Sequence, residues 1–468
     1  MEYLSNMQKA IDEILKHKND NIIVYTHIDT DGLNSRVVLE ETLSRQGIFP
    51  EYRFLRQIDY GTIGDIPFGD YDLVIFADLG SGQIDMIDTQ IKSMNIKPPK
   101  IVIFDHHICQ FTKMPEYITN VNPSQDGLNG SIELCGAGVC YLFARELDDN
   151  NKDLSKYALL GAIGDVQNLN GKLEGLNRKI ILKDALELNL VSSSPDLQFY
   201  GKHTRPLFTS IKYFTDVRTD LTDNDSRIIN FINHVNKKYD SEITNTNYIY
   251  QLTESQKRAV GSEFFKKCVR YVPKEWISYL PKVIFGESYE LLNHESGTSF
   301  RSLEEYSTCI NACSRYNEYE VPLEILKGNM SYESKMLKML RKHKRNLAKS
   351  MDTIKNNVEV VQKDKFQYFE VSNNEIQGNI VGIIAGMSYS IEKVDWKKPI
   401  FAISELDEGY KISARCPKLL SFAEDINLAK AINYASEKVG GTGGGHKFAC
   451  GAYIPDKKDF VKYLVEKV

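Results

Sequence analysis

The 468-residue chain contains no run of about 18 or more apolar residues, so it carries no signature of a membrane-spanning helix. None of its eight cysteines forms a CxxC pair, which excludes the usual zinc-ribbon and thioredoxin spacings. Cys135 and Cys140 stand in the apolar stretch ELCGAGVCYLF, so the cysteines read as buried free thiols of a reducing compartment rather than a disulfide frame. Positive charge is not in excess: the net charge is −5, and a polyanion would have to be met by a local basic surface or by metal ions. There is no internal repeat and no low-complexity tract. The opening MEYLSNMQKAIDEILKHKND is charged and lacks the apolar centre of a signal peptide. The expectation is a cytoplasmic protein that does not engage membranes. Its 42% hydrophobic and 26% charged residues are those of an ordinary globular chain, and its length suggests two or three domains of about 100–200 residues.

Residues 1–190 alternate strand and helix. NIIVYTHI (21–28), YDLVIFADL (71–79) and KIVIFDHH (100–107) are rich in Val, Ile and Phe with little polar alternation. Strands covered on both faces look like this, so the expectation is α/β with a parallel sheet between helices. Helices are expected from about Leu33 to Gln46 and at about 132–147 and 153–164. Residues 191–330 are polar, rich in Asn, Tyr and Lys, and read as a mostly helical intermediate region. Residues 331–357 read as one long helix joining domains. From 358 to 468 a β pattern returns, with helices near 378–390, 425–437 and 457–466, giving a smaller α/β domain.

Each strand of the first domain runs into acid or imidazole. The first ends in THIDTDG with His27, Asp29 and Asp31; the second in ADLGSG with Asp78; the third in Asp105, His106 and His107. The helical segment after them ends in GAIGDVQN with Asp165. In an open parallel sheet, ligands lie outside the carboxyl ends of the strands, so these segments would meet at one edge. Carboxylates crowded there would repel and raise one another's pKa. Divalent cations remove that conflict, and carboxylate with imidazole suits Mn²⁺ or Zn²⁺ better than Mg²⁺. Two such ions about 3.5–4 Å apart are a device for splitting phosphate esters. Taken singly, each motif is equally a helix cap or a polar turn. Their joint occurrence in this order is what points to a metal site.

These motifs, HIDTDG, ADLGSG, DHH and GAIGD, resemble those of the DHH phosphoesterase superfamily, and GGTGGGHKFACGAYI (440–454) resembles the glycine-rich signature of its DHH-associated domain. The resemblance implies two lobes joined by a long helix, with the active site in the cleft between them. It implies two divalent metal ions, Mn²⁺ first and Mg²⁺ as the alternative. His27 and Asp29 would hold one ion and Asp31, His106 and Asp165 the other, with Asp78 bridging both. Asp105 would orient an imidazole by accepting its N–H, and His107 would face the scissile phosphate.

In the second lobe the implied substrate-binding residues are Gly443, Gly444, Gly445 and His446, together with Ser413 and Arg415, which stand one strand period apart. The bland readings are a flexible glycine loop and a solvated Arg. The stretches GKHTRPLFTSIKYFTD (201–216), with Arg205, and INACSR followed by LEILKGN resemble the archaeal RecJ-like single-strand exonucleases, which include the GINS-associated nuclease. Lys335, Lys338, Arg341, Lys342, Lys344, Arg345 and Lys349 run without an intervening acid, as a solvated linker helix or as a track for a single-strand backbone. The expected function is a metal-dependent exonuclease on single-stranded DNA or RNA, in DNA repair or replication. The alternatives are an oligoribonuclease or cyclic-dinucleotide phosphodiesterase, or a replisome scaffold that binds GINS.

Overall fold

The structure of the chain, a computed structural model, describes residues 4–109, 111–424 and 426–468, and of His446 the backbone alone. The chain divides into two compact units, residues 1–194 with 288–339 and residues 195–287 with 340–468. The stretch 191–330 is therefore shared between them. The last crossing falls within the long helix, which spans Glu333–Asn357.

The first unit holds a five-stranded sheet: β1 Ile22–Thr26, β2 Glu51–Phe54, β3 Leu73–Ala77, β4 Lys100–Phe104 and β5 Ile118–Val121. All its pairings are parallel and the order is β2-β1-β3-β4-β5. Every residue of β1 and β3 is buried, which explains the absence of polar alternation. Ile23, Tyr25, Val74, Phe76, Ile101 and Ile103 pack on one face with Ile84, Ile87 and Ile91 of a helix Ile84–Ser93. Full burial of each such side chain is worth about 1.5–3 kcal/mol. On the other face Phe104 meets Phe143 at a centroid distance of 5.0 Å. Three mutually packed helices matter for the site: Thr30–Arg45, Gly136–Leu147 and Ser155–Gly164.

A two-stranded sheet, β6 Val191–Leu197 with β7 Phe285–Leu291, completes the middle stretch. The second unit carries β8 Val361–Gln362, β9 Gln367–Ser372, β10 Ile400–Glu405, β11 Tyr410–Arg415, β12 Thr442–His446 and β13 Ala449–Ile454. Their order is β12-β13-β11-β10-β9-β8, antiparallel except for β9 with β10. The helical residues Ile228, Phe231, Ile232 and Phe264 share one core with Phe401, Ile403 and Ile432 of the C-terminal part. The helix expected at 425–437 runs Leu428–Lys438, and residue 425 lies outside the described residues. The glycine run is a strand, β12, rather than a loop: it pairs antiparallel with β13 from Thr442 opposite Tyr453 to His446 opposite Ala449. Among the described residues no helix is long and apolar enough to cross a membrane.

Candidate metal centre

In the order β2-β1-β3-β4-β5 the chain turns back between β1 and β3. That reversal opens a crevice at the carboxyl ends of these strands. His27, Asp29 and Asp31 follow β1, Asp78 follows β3, and Asp105, His106 and His107 follow β4. Asp165 follows the helix Ser155–Gly164. The structure brings all of them together. Ligand atoms of His27, Asp29 and Asp78 lie within 4.8 Å of one another, as do those of Asp31, His106 and Asp165, and those of Asp78, Asp105, His106 and His107. Asp78 stands between the other two groups: its Oδ2 is 3.4 Å from His27 Nδ1 and its Oδ1 is 3.2 Å from His106 Nε2.

The two sides of the cluster differ in depth. The side chains of His27 and Asp29 are 27% and 46% exposed, whereas those of Asp31, His106 and Asp165 are 2%, 1% and 16% exposed. Asp29 caps the helix Thr30–Arg45, its Oδ1 accepting the Gly32 N–H at 3.1 Å. Asp31 accepts the Gly136 and Ala137 N–H groups at 2.7 and 2.9 Å, so its carboxylate sits on the N-terminus of the helix Gly136–Leu147, where partial positive charge favours it. Asp78 has φ +62, a left-handed conformation that Asp tolerates better than most residues. Gly136 lies against it, and a Cβ there would come within 2.7 Å of the Asp78 side chain.

His106 Nδ1 faces the Gly130 carbonyl at 2.7 Å. A carbonyl only accepts, so Nδ1 carries the proton and Nε2 is left to face Asp31 and Asp78. Asp105 is wholly buried. It accepts the N–H groups of Ser81 at 2.9 Å and of His106 at 2.7 Å, and the ring of His107 at 2.8 Å. The imidazole it orients is thus that of His107, whose side chain is more exposed than that of any other imidazole in the cluster.

The donor set passes a test for a divalent cation. Both carboxylate oxygens of Asp78 and Nδ1 of His27 are buried with no hydrogen-bond partner. Their neighbours approach to 3.1–3.4 Å without hydrogen-bond alignment. Buried lone pairs that converge on one another without donors are costly unless a cation lies between them. The protonation preferences agree. Burial and the Asp78 charge hold Asp31 well above the ordinary carboxylate range. Burial would lower His27 and His106, but neighbouring carboxylates hold both well above the ordinary imidazole value. Burial would raise Asp29 and Asp105, yet His27 and His107 respectively hold them low. Without a cation the cluster balances its charge by taking up protons.

Several groups in the centre had no assigned place in the sequence reading. Ser81 lies within ADLGSG, Gln167 within GAIGDVQN and Asn311 within INACSR, so each was adjacent to a motif. Asn311 Oδ1 accepts the Thr30 N–H at 3.1 Å, and Thr30 Oγ1 donates to the Ser307 carbonyl, which ties the HIDTDG turn to the helix Leu303–Ser314. The Gly130 carbonyl had no local signal at all.

The expected substrate residues lie in the second unit. Ser413 and Arg415 share one face of β11, with Gly382 close over them: a Cβ there would meet Arg415 Nη2 at 2.7 Å. Gly443 packs against Ile432, Gly444 has open space above it, and Gly445 has φ +120. The side chain of His446 lies outside the described residues. Arg205 lies over the Tyr200 ring at 4.7 Å. Lys335 pairs with Glu318 at 2.7 Å, and Lys338, Arg341, Lys342, Lys344, Arg345 and Lys349 occupy exposed positions on their helix.

A parallel α/β sheet with carboxylates and imidazoles at its switch point, followed by a mixed-sheet unit, is the architecture of a class of metal-dependent phosphoesterases. The chain belongs to the DHH superfamily: residues 21–164 match the DHH family N-terminal domain and residues 363–468 the DHHA1 domain, together more than half of the chain. The uncharacterized protein MJ0831 of Methanocaldococcus jannaschii is 28% identical over 100% of this chain and 97% of its own length. YorK of Bacillus subtilis, named as a prophage-derived single-strand DNA-specific exonuclease, is 27% identical over 35% of this chain and 28% of its own. Among solved structures, RecJ from Thermus thermophilus in complex with Mn²⁺ aligns with a TM-score of 0.58 at 15% identity, covering 99% of this chain and 54% of that one. CDC45 from Entamoeba histolytica aligns with a TM-score of 0.59 at 13% identity, covering 98% and 97%. At these identities the likeness is one of fold. The chain spans about half the length of the Thermus RecJ.

Proposed function

We propose that the protein is a two-metal phosphodiesterase that acts as an exonuclease on single-stranded DNA or RNA, in DNA repair or replication. The observation that carries this reading is the pair of donor groups that meet at Asp78, whose buried carboxylate has no hydrogen-bond donor on either oxygen. His27 and Asp29 would hold one ion, Asp31, His106 and Asp165 the other, and Asp78 both. Bound Mn²⁺, or Mg²⁺ in its place, would lower the pKa of water and neutralise charge on the phosphate. Asp31 is held in place by the Gly136 and Ala137 amides, and His106 by the Gly130 carbonyl. Asp105 fixes the His107 ring through Nδ1, and His107 would offer a proton to the leaving oxygen from Nε2. Ser413, Arg415, Gly443–Gly445 and His446 of the second unit would hold the phosphates of the strand.

Digestion of 5′- and 3′-labelled single-stranded DNA and RNA in Mn²⁺, with Asp78→Ala beside the wild type, tests the reading. Stepwise release of nucleotides that Asp78→Ala abolishes is the expected result. Cleavage confined to chains of two to five nucleotides would make it an oligoribonuclease instead. Full activity in Asp78→Ala would remove the metal assignment. A second reading, a replisome component that docks on GINS with catalysis incidental, is motivated by the long middle stretch 191–330, and a pull-down with purified GINS tests it: no complex at micromolar concentrations would count against it.

A further inference from the structure

Gln167 is fully buried two residues beyond Asp165, and its amide bonds both ends of the deep side of the centre. Asn177 Nδ2 donates to Gln167 Oε1 at 2.6 Å, with a weaker approach of 3.4 Å to the Ile132 carbonyl. Since Oε1 accepts there, the other end of the Gln167 amide is the donor. That Nε2 donates to Asp165 Oδ2 at 2.9 Å and to the Gly130 carbonyl at 2.7 Å. The Gly130 carbonyl is the one that receives His106 Nδ1, also at 2.7 Å. One amide therefore fixes Asp165 directly and His106 through a shared acceptor. It bonds neither His27, Asp29 nor Asp78.

The backbone carries a second mark of this arrangement. Val166, between Asp165 and Gln167, has φ +58. A β-branched residue is a true outlier in that region, and such strain persists only where the surroundings over-determine it. Here the turn aims Asp165 and Gln167 at each other across Val166, and the Asn177 bond holds the arrangement from behind. Gln167 and Asn177 both lie beyond the stretch 21–164 matched by the DHH domain.

We propose that Gln167, oriented by Asn177, is a positioning residue for the cation held by Asp31, His106 and Asp165, and has no such role at the His27–Asp29–Asp78 position. The inference rests on the two-metal reading above. A buried amide placed only to satisfy the core would affect both positions alike or neither.

The test is Mn²⁺ titration of the purified full chain by calorimetry and electron paramagnetic resonance, with folding of each variant checked by circular dichroism in EDTA. The wild type is expected to take two ions. Gln167→Leu, similar in volume but without donors, should leave one ion at its wild-type affinity and weaken the other about 10–100-fold, the usual cost of losing a partner that orients a ligand. Asn177→Ala keeps Gln167 but frees its amide, and should weaken the same ion to a smaller degree; it carries the test if Gln167→Leu does not fold. The double variant should bind no more weakly than Gln167→Leu, because Asn177 acts through Gln167. Equal weakening of both ions, or unchanged binding of both, would overturn the positioning role and leave the phosphodiesterase reading standing. A wild type that takes fewer than two ions would overturn both.

Discussion

The two sheets of this protein leave room for a ligand in different ways. The central strands of the parallel sheet of the first unit are covered on both faces, so only their ends remain for chemistry. Donors that meet there come from segments more than a hundred residues apart, and half of them, Asp31, Asp78, Asp105 and His106, are buried. The mixed sheet of the second unit keeps part of a face open. Along β13, Cys450, Ala452 and Ile454 are buried while Ala449, Gly451 and Tyr453 are not. Residues that share this face are neighbours in strand register, such as Lys411 opposite Tyr453 and Gly444 opposite Gly451. An edge site concentrates charge and couples its parts; a face spreads contacts that act almost independently. Changes at the edge should therefore be severe and cooperative, and changes on the face mild.

The largest effect should follow loss of Asp78. Asp78→Ala is expected to lower Mn²⁺-dependent hydrolysis of a labelled single strand by about a thousandfold or more, since metal stabilisation of the transition state is worth several kcal/mol. In EDTA the metal-free Asp78→Asn protein should hold protons on Asp31, His27 and His106 less tightly than the wild type, because the Asp78 charge raises all three. Unchanged proton release on Mn²⁺ binding in that variant would contradict the picture of an edge crowded with charge.

Next in size is Gly136→Ala. Its Cβ would fall within 2.7 Å of Asp78, and a small-to-large change in a packed interior costs about 1–3 kcal/mol. Urea denaturation reads the loss. A simultaneous fall in Mn²⁺ affinity would separate displacement of Asp78 from general overpacking.

The units should also differ in how they respond to pH. Asp31, His27 and His106 are held above their ordinary values, so the metal-free folded chain binds these protons more tightly than the unfolded chain does. The stability they contribute is complete below their unfolded values and is lost as pH rises through the folded ones. For the histidines the loss begins above about 6.5. Asp29 and Asp105, held low, act oppositely and lose their contribution only as pH falls below the ordinary 3.8. Thermal melts in EDTA should therefore drop as pH is raised from 6.5, and saturating Mn²⁺, which binds the deprotonated ligands, should flatten that drop. In the second unit the contrast is Glu263: burial would raise it, but Lys266, Lys238, Tyr239 and His234 lower it to about 2. Its contribution is present above the ordinary 4.5 and lost as pH falls toward 2, so Glu263→Gln should remove part of the acid sensitivity and leave the drop that begins above about 6.5 in place.

The smallest effect belongs to the open face. A Cβ at Gly444 meets nothing within 4 Å, so Gly444→Ala should change stability by no more than about 0.5 kcal/mol. A large destabilisation in a urea titration would mean that this face is packed rather than open.

The residue types at the strand ends were legible because each motif is short and follows an apolar run that marks its strand. The long helix was legible to within two residues at its start, its apolar positions recurring at helical spacing. The strand β12 was not legible, since glycine is depleted in strands and a run of it reads as a turn. It is a strand because β13 supplies its hydrogen-bonding partner. The polar middle stretch was hard to read for a related reason. Its parts join two different units, and the apolar residues of 195–287 find their partners in the C-terminal sheet rather than in one another alone.

The chain's own pattern was enough to specify buried strands ending in carboxylate and imidazole, because strand burial and motif spacing are local properties. It left open the strand order that sets Asp78 between the donors of β1 and β4, the helix amides under Asp31, and the amide of Gln167 shared between Asp165 and the carbonyl that orients His106. Those arise from contacts across long separations in the chain, where no periodicity records which partner will arrive, and only packing of the whole unit selects it.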